Sequence, residues 1–116
     1  MTVNRIYKII FLFNLVLYCS IAHPQNLNCE IGPLHKQYGG TNWLVYACDD
    51  DRSVVFITAP GNPAMPFYFF YFPENGTYKL SGEGTGNRNA TEAAFDELKL
   101  FSIEDIRKLI LEAKND

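Results

Sequence analysis

The chain has 116 residues, of which 47% are hydrophobic, 15% are aromatic and 20% are charged. Ten basic and 13 acidic residues give a formal net charge of -3. This length accommodates one domain with one modest core and leaves no room for a second domain. The acidic balance disfavours nucleic acid as a partner, because binding to a phosphate backbone depends on Lys and Arg side chains.

Residues 1–22 have the pattern of a cleaved export signal. Arg5 and Lys8 supply a basic start, and a mainly apolar run of 11 residues follows. That run is well below the roughly 20 residues that span a bilayer, so no stable membrane span is expected after processing. Small residues ending at Ala22 favour cleavage at that point. The sequence therefore predicts an exported protein, either periplasmic or secreted.

Cleavage after Ala22 leaves 94 residues, with eight basic and 13 acidic side chains and two cysteines. An even number of cysteines in an oxidising compartment predicts a disulfide between Cys29 and Cys48. Such a bond closes a loop of about 20 residues and contributes about 3 kcal/mol by restricting the unfolded chain. Two unpaired buried thiols are the alternative. A lipid on Cys19 is a further alternative, disfavoured because the bulky Tyr18 precedes that cysteine.

Residues 23–40 contain turn-forming residues and no periodic apolar pattern. They predict an irregular N-terminal arm that the disulfide ties to the end of the first strand. An arm of this kind otherwise tends to fray. Residues 41–116 are accordingly expected to form a single α+β domain.

Two short runs, residues 43–48 and 53–59, are rich in aromatic and β-branched residues and predict a β-hairpin. The acidic segment between them is the loop. Pairing of residue 46 with residue 55 places Trp43, Val45, Val54 and Phe56 on one face. The opposite face carries Leu44, Tyr46, Val55 and Ile57. Because both faces are apolar, the sequence favours strands that are covered on both sides.

A second hairpin is predicted from residues 67–73 and 77–82, with Asn75-Gly76 as a type I′ turn. Directly opposed residues point to the same side of a sheet. Phe67, Phe69 and Tyr71 therefore belong to a core face. The other face carries Tyr68, Phe70, Phe72 and Lys79.

Two helices are predicted after the glycine-rich segment 82–86. Asn89 with a glutamate three residues later signals the first start, and Ser102 with Asp105 signals the second. The apolar stripe that follows Ser102 has helical spacing. The predicted fold is a small α+β domain, with a four-stranded antiparallel meander followed by a C-terminal helical hairpin packed on one face.

No catalytic, metal or cofactor pattern is evident in the sequence. The acidic run at residues 49–51 lacks the spacing and the closing glutamate of a calcium loop. If the protein is a small hydrolase, His35 is the best candidate for a catalytic residue, but no nucleophile is predicted beside it. Asn75-Gly76-Thr77 and Asn89-Ala90-Thr91 fit the N-glycosylation pattern, which applies only in a eukaryotic source.

The aromatic row Tyr68, Phe70 and Phe72 leaves two interpretations. The N-terminal arm folds across it, or it is an exposed platform that binds a protein, a glycan or a second copy of the chain. The leading hypothesis is an exported, non-catalytic binding or inhibitor module that uses these residues and Lys79. The alternative is a structural accessory protein that homodimerises through the same face.

Overall fold

A computed structural model describes residues 26–116 of the chain. The predicted signal peptide, residues 1–22, and the first residues of the predicted arm lie outside the described residues. In the described part, a single antiparallel sheet carries two C-terminal helices on one face, so the architecture is α+β as expected. The strands are β1 (Ile31–Tyr38), β2 (Thr41–Ala47), β3 (Val54–Thr58), β4 (Phe67–Glu74) and β5 (Thr77–Gly84), hydrogen-bonded in chain order.

The registers of both predicted hairpins are confirmed. Tyr46 pairs with Val55 in the β2–β3 hairpin, and Tyr71 pairs with Leu80 in the β4–β5 hairpin. Asn75 and Gly76 have φ values of 51° and 81°, the left-handed conformation that a type I′ turn requires. Because side chains alternate across a strand, these registers fix which residues share each face.

The four-stranded prediction is wrong, because the sheet has five strands. Residues 31–38 were expected to be irregular and instead form β1, the edge strand beside β2. A proline and a register irregularity between Ile31 and Leu34 hide this strand, since both features are tolerated at sheet edges. Lys36 further interrupts the apolar alternation, and its ammonium group lies 2.8 Å from a carboxylate oxygen of Glu112 in the second helix.

The two helices are α1 (Arg88–Leu98) and α2 (Ile103–Asn115). The predicted capping box is confirmed in α2, where the Ser102 and Asp105 side chains each bond to the other's backbone N–H. The predicted cap of α1 is wrong by two residues. Asn87, not Asn89, accepts a hydrogen bond from the Ala90 N–H at 3.1 Å.

The core lies between the sheet and the helices. On the sheet side it contains Trp43, Phe56 and Phe69, and on the helix side Leu98 and Ile106. All five side chains are at most 2% exposed. We call this side of the sheet the helix face and the opposite side the outer face.

The disulfide between Cys29 and Cys48 is present. It joins the segment before β1 to the end of β2, so it secures the edge of the sheet at one end. At the other end of the same hairpin, the Gly39 N–H donates to Glu97 Oε1 of α1 at 2.7 Å. A Cβ atom on Gly39 would lie only 2.5 Å from the Ala94 backbone nitrogen, so glycine permits the close approach of α1.

Candidate functional site

The outer face presents a continuous apolar surface across the three central strands. The register aligns Leu44 of β2, Ile57 of β3 and Tyr68 of β4 in one row. A second row follows the same order, with Tyr46, Val55 and Phe70. Ile57 and Tyr68 are 39% and 41% exposed, and the other four side chains are half-buried. Large apolar side chains are therefore accessible side by side.

The predicted row Tyr68, Phe70 and Phe72 lies along β4 within this surface. The Phe70 and Phe72 rings stack with centroids 4.9 Å apart, which holds them as one unit. The Tyr68 hydroxyl donates to Glu83 Oε2 of β5 at 3.0 Å. That hydrogen bond, with the negative charge of Glu83, raises the pKa of the Tyr68 phenol.

Polar side chains border the apolar rows on both sides. On β1, His35 pairs in register with Leu44, and Gln37 lies two residues further along the strand. On β5, Glu83 pairs with Tyr68 and Lys79 pairs with Phe72. Lys79, the polar member of the predicted site, is exposed, and its ammonium nitrogen lies 3.7 Å from a Glu74 carboxylate oxygen. An apolar centre with a polar border is the arrangement of a protein–protein interface.

A cleft of about 490 Å³ opens where β3 ends and β4 begins. Its walls include Ile57 and Tyr68 from the outer face, and Met65 and Pro66 from the loop between the strands. The loop itself is fixed from inside, because the buried Asn62 side chain donates to the Asn42 carbonyl at 2.7 Å and accepts from the Ala64 N–H at 2.8 Å. The cleft thus has a defined wall beside the aromatic row.

The described part of the N-terminal arm, residues 26–40, does not fold across the aromatic row, which was one of the two interpretations of the sequence. The Asp49 N–H at the β2–β3 turn donates to the Asn28 carbonyl, the Asn28 N–H donates to the Asp49 carboxylate, and residues 31–38 lie beside β2. This position is at the opposite edge of the sheet from Phe72. Within residues 26–116, the outer face therefore lacks the cover that the sequence favoured.

His35 lies exposed on β1 and lines a second cleft with Gln37, Asn42 and Leu44. No carboxylate or serine is among the residues that line this cleft in the described chain. Residues 26–116 also contain no group of three or more His, Cys, Asp and Glu side chains that could hold a metal ion. In the same range, neither helix is long and apolar enough to cross a membrane.

Sequence reasoning identified the aromatic row but missed two parts of the outer face, namely the cleft wall and the polar border on β1. The cleft wall at Met65 and Pro66 depends on how the loop folds back, for which the sequence carries no periodic signal. The place of His35 and Gln37 on the border depends on β1. The adjacent glycines Gly39 and Gly40 were the available signal for that strand, because such a pair favours a tight hairpin turn.

Comparison with protein-family models, with curated proteins and with solved structures gives no match for this chain.

Proposed function

We propose that this protein is an exported, non-catalytic binding module whose outer sheet face binds another protein. The observation that carries the proposal is the apolar surface of β2, β3 and β4 with polar side chains on both borders. Soluble monomers rarely expose a large contiguous apolar patch, and such patches mark sites of interaction with another protein.

A protein partner fits this surface better than a glycan. Glycan recognition needs polar groups among the aromatic rings to bond the sugar hydroxyls, but three of the six side chains in the two rows, Leu44, Val55 and Ile57, are aliphatic. Of the two tyrosine hydroxyls in these rows, that of Tyr68 is already bonded to the Glu83 carboxylate. The surface thus favours a partner with an apolar patch of its own.

The cleft beside Tyr68 gives this surface an anchor point. Binding energy at protein interfaces concentrates where a large side chain fills a pocket near the centre. A cleft of about 490 Å³ lined by Ile57, Met65 and Pro66 accommodates one aromatic or long aliphatic side chain of the partner. Tyr68, which lines this cleft, is accordingly the residue whose truncation is expected to weaken binding most.

Export is part of the proposal. The Cys29–Cys48 disulfide is consistent with an oxidising, exported location. The basic and apolar pattern of residues 1–22 predicts the signal that directs the chain there.

The test places a photo-crosslinking residue at position 68, on the outer face, or at position 95, on α1. Phe95 is the control because it is also an aromatic residue, 39% exposed, but it lies on α1 and not on the outer face. The protein is irradiated in the fluid of the compartment that receives it, and cross-linked partners are identified by mass. We expect a partner protein that cross-links from position 68 and not from position 95.

The identified partner is then purified and titrated with wild-type protein and with Tyr68→Ala, Phe72→Ala and Phe95→Ala. We expect the outer-face variants to raise the dissociation constant about tenfold or more and Phe95→Ala to leave it unchanged. Cross-links only to a second copy, only to a glycan or equally from both positions would contradict the proposal.

A further inference from the structure

Strand β5 leaves one edge of the sheet unpaired within residues 26–116. It has eight residues, contains no proline and lies at the end of the strand order. An edge of this length presents a row of free backbone N–H and C=O groups, which is a template for another strand. Charged residues are one natural protection for such an edge, and β5 carries Lys79 and Glu83 on the same face.

The hairpin turn determines whether the backbone N–H and C=O groups of each β5 residue point to β4 or to the free edge. A type I′ turn at Asn75-Gly76 makes Glu74 and Thr77 a hydrogen-bonded pair. Antiparallel pairing then alternates, so that odd-numbered β5 residues bond to β4. The hydrogen bond of 3.0 Å from the Thr85 N–H to the Pro66 carbonyl follows the same alternation. Even-numbered residues, including Leu80 and Gly82, therefore direct their backbone groups to the free edge.

We propose that a second copy of this chain pairs with this edge, β5 against β5 in antiparallel orientation, about a two-fold axis at Ser81. In this register Leu80 exchanges backbone hydrogen bonds with the partner's Gly82. The two-fold axis repeats each interaction, as in any isologous interface. The result is one ten-stranded sheet with all four helices on one side.

Charge complementarity selects this register. With the axis at Ser81, Lys79 lies opposite the partner's Glu83, and Glu83 lies opposite the partner's Lys79. Opposite charges that face each other across strands stabilise the pairing. A shift of the partner in either direction to the next register that keeps the backbone bonds places one of these charges opposite Ser81 instead.

Side-chain size is compatible with the same register. On the helix face, Leu80 lies beside the partner's Gly82, and Tyr78 lies beside the partner's Gly84. Both glycines already admit close contacts within their own chain, because a Cβ atom at Gly82 would lie 2.9 Å from the Phe67 and Phe69 rings and one at Gly84 would collide with the Pro66 carbonyl. The register is therefore selected by the charges and not by the glycines.

The chain that follows β5 leaves the edge accessible. The N–H groups of Thr85 and Gly86 donate to the Pro66 carbonyl at 3.0 and 3.3 Å. Asn87 donates in turn to the Pro63 carbonyl at 3.2 Å. These bonds hold residues 85–87 on the β4 side of β5, away from the edge where the partner would pair.

This dimer is distinct from the proposed partner contact on the outer face, because its hydrogen bonds come from the backbone edge of β5, although Lys79 and Glu83 also border the outer face. It also joins the two outer faces. A two-fold axis perpendicular to the sheet leaves both aromatic rows on the same side, so one dimer would present two binding surfaces to a partner.

The test exchanges the charges of β5 and measures the dimer dissociation constant by sedimentation equilibrium. The protein is expressed as the full chain and purified after the host cells secrete it. Lys79→Glu and Glu83→Lys each place like charges opposite each other twice, so each is expected to raise the dimer dissociation constant about tenfold. The double variant restores opposite charges and is expected to return the constant to near the wild-type value. Lys108→Glu, on α2, makes the same change in net charge as Lys79→Glu and should have no effect.

Hydrogen exchange followed by NMR reads the backbone pairing directly. We expect the Leu80 and Gly82 amides to gain protection as protein concentration rises, while the Lys79 and Ser81 amides are protected at every concentration by their bonds to β4. A monomer at high micromolar concentration would overturn the proposal. So would a dimer whose stability the single reversals leave unchanged, a double variant as weak as the singles, or protection that does not alternate along β5.

Discussion

The helix face and the outer face of the sheet are made by the same strands from similar side chains. On the helix face, Trp43 and Phe56 are fully buried. On the outer face, Ile57 and Tyr68 remain 39% and 41% exposed, although Ile57 follows Phe56 in the sequence and Tyr68 precedes the buried Phe69. The difference comes from the rest of the chain, because α1 and α2 supply apolar stripes sufficient for one face only. Apolar character alone therefore does not decide which face becomes core.

The largest difference between the faces is expected when the same type of side chain is removed from each. Phe56→Ala leaves a cavity where Phe56 packs edge-on against Tyr38 and Phe101, and it is expected to lower the free energy of unfolding by about 4 kcal/mol. Phe72→Ala removes a half-buried ring and should cost only about 1 kcal/mol. Urea denaturation measures both. Equal losses would mean that the folded protein buries the outer face as well.

A second comparison removes one hydroxyl from each face. The Tyr71 hydroxyl donates to the Phe101 carbonyl at 2.9 Å on the helix face. Tyr71→Phe leaves that carbonyl without this donor and is expected to cost about 1 kcal/mol. Tyr68→Phe breaks an exposed bond to Glu83 and should change the free energy of unfolding by less than about 0.5 kcal/mol. A larger loss for Tyr68→Phe than for Tyr71→Phe, measured by thermal denaturation, would reverse the assignment of the faces.

The smallest effect concerns alkaline pH. Burial raises the pKa of Tyr38 on the helix face, and the negative charges of Glu112 and Glu97 add to that effect. A tyrosine whose pKa is raised by folding stabilises the protein fully below the unfolded value of about 10, and this contribution is lost as pH rises above it. The loss is about 0.8 kcal/mol at pH 10.5 for one such group.

Tyr38→Phe is the matched variant for this prediction. It removes the ionisable group and keeps the ring that packs on Phe56 and Phe101. Urea denaturation at pH 8 and pH 10.5 should show a smaller decrease in the free energy of unfolding for Tyr38→Phe than for the wild type. An identical decrease in both proteins would show that folding does not hold the proton on Tyr38.

The two hairpins and the assignment of their faces could be predicted because their signals are local. Asn75-Gly76 sets the β4–β5 register, and once that register is set every side chain on both strands has a defined face. The capping box at Ser102 is equally local, since it joins residues three positions apart. The pairing of Cys29 with Cys48 needed only the count of cysteines and an oxidising compartment.

Strand β1 and the cover of the outer face could not be predicted in this way. Lys36 reads as a break in an apolar pattern until Glu112, 76 positions away, is placed beside it by α2. Leu34 and Tyr38 likewise become core residues only because the helices lie over them. The hairpin pattern alone defines two rows of aromatic side chains on β4 and assigns Phe67, Phe69 and Tyr71 to the core face. Whether the other row is covered as well depends on the tertiary structure, since the helices lie on one face and β1 extends the edge of the sheet rather than closing over the other face.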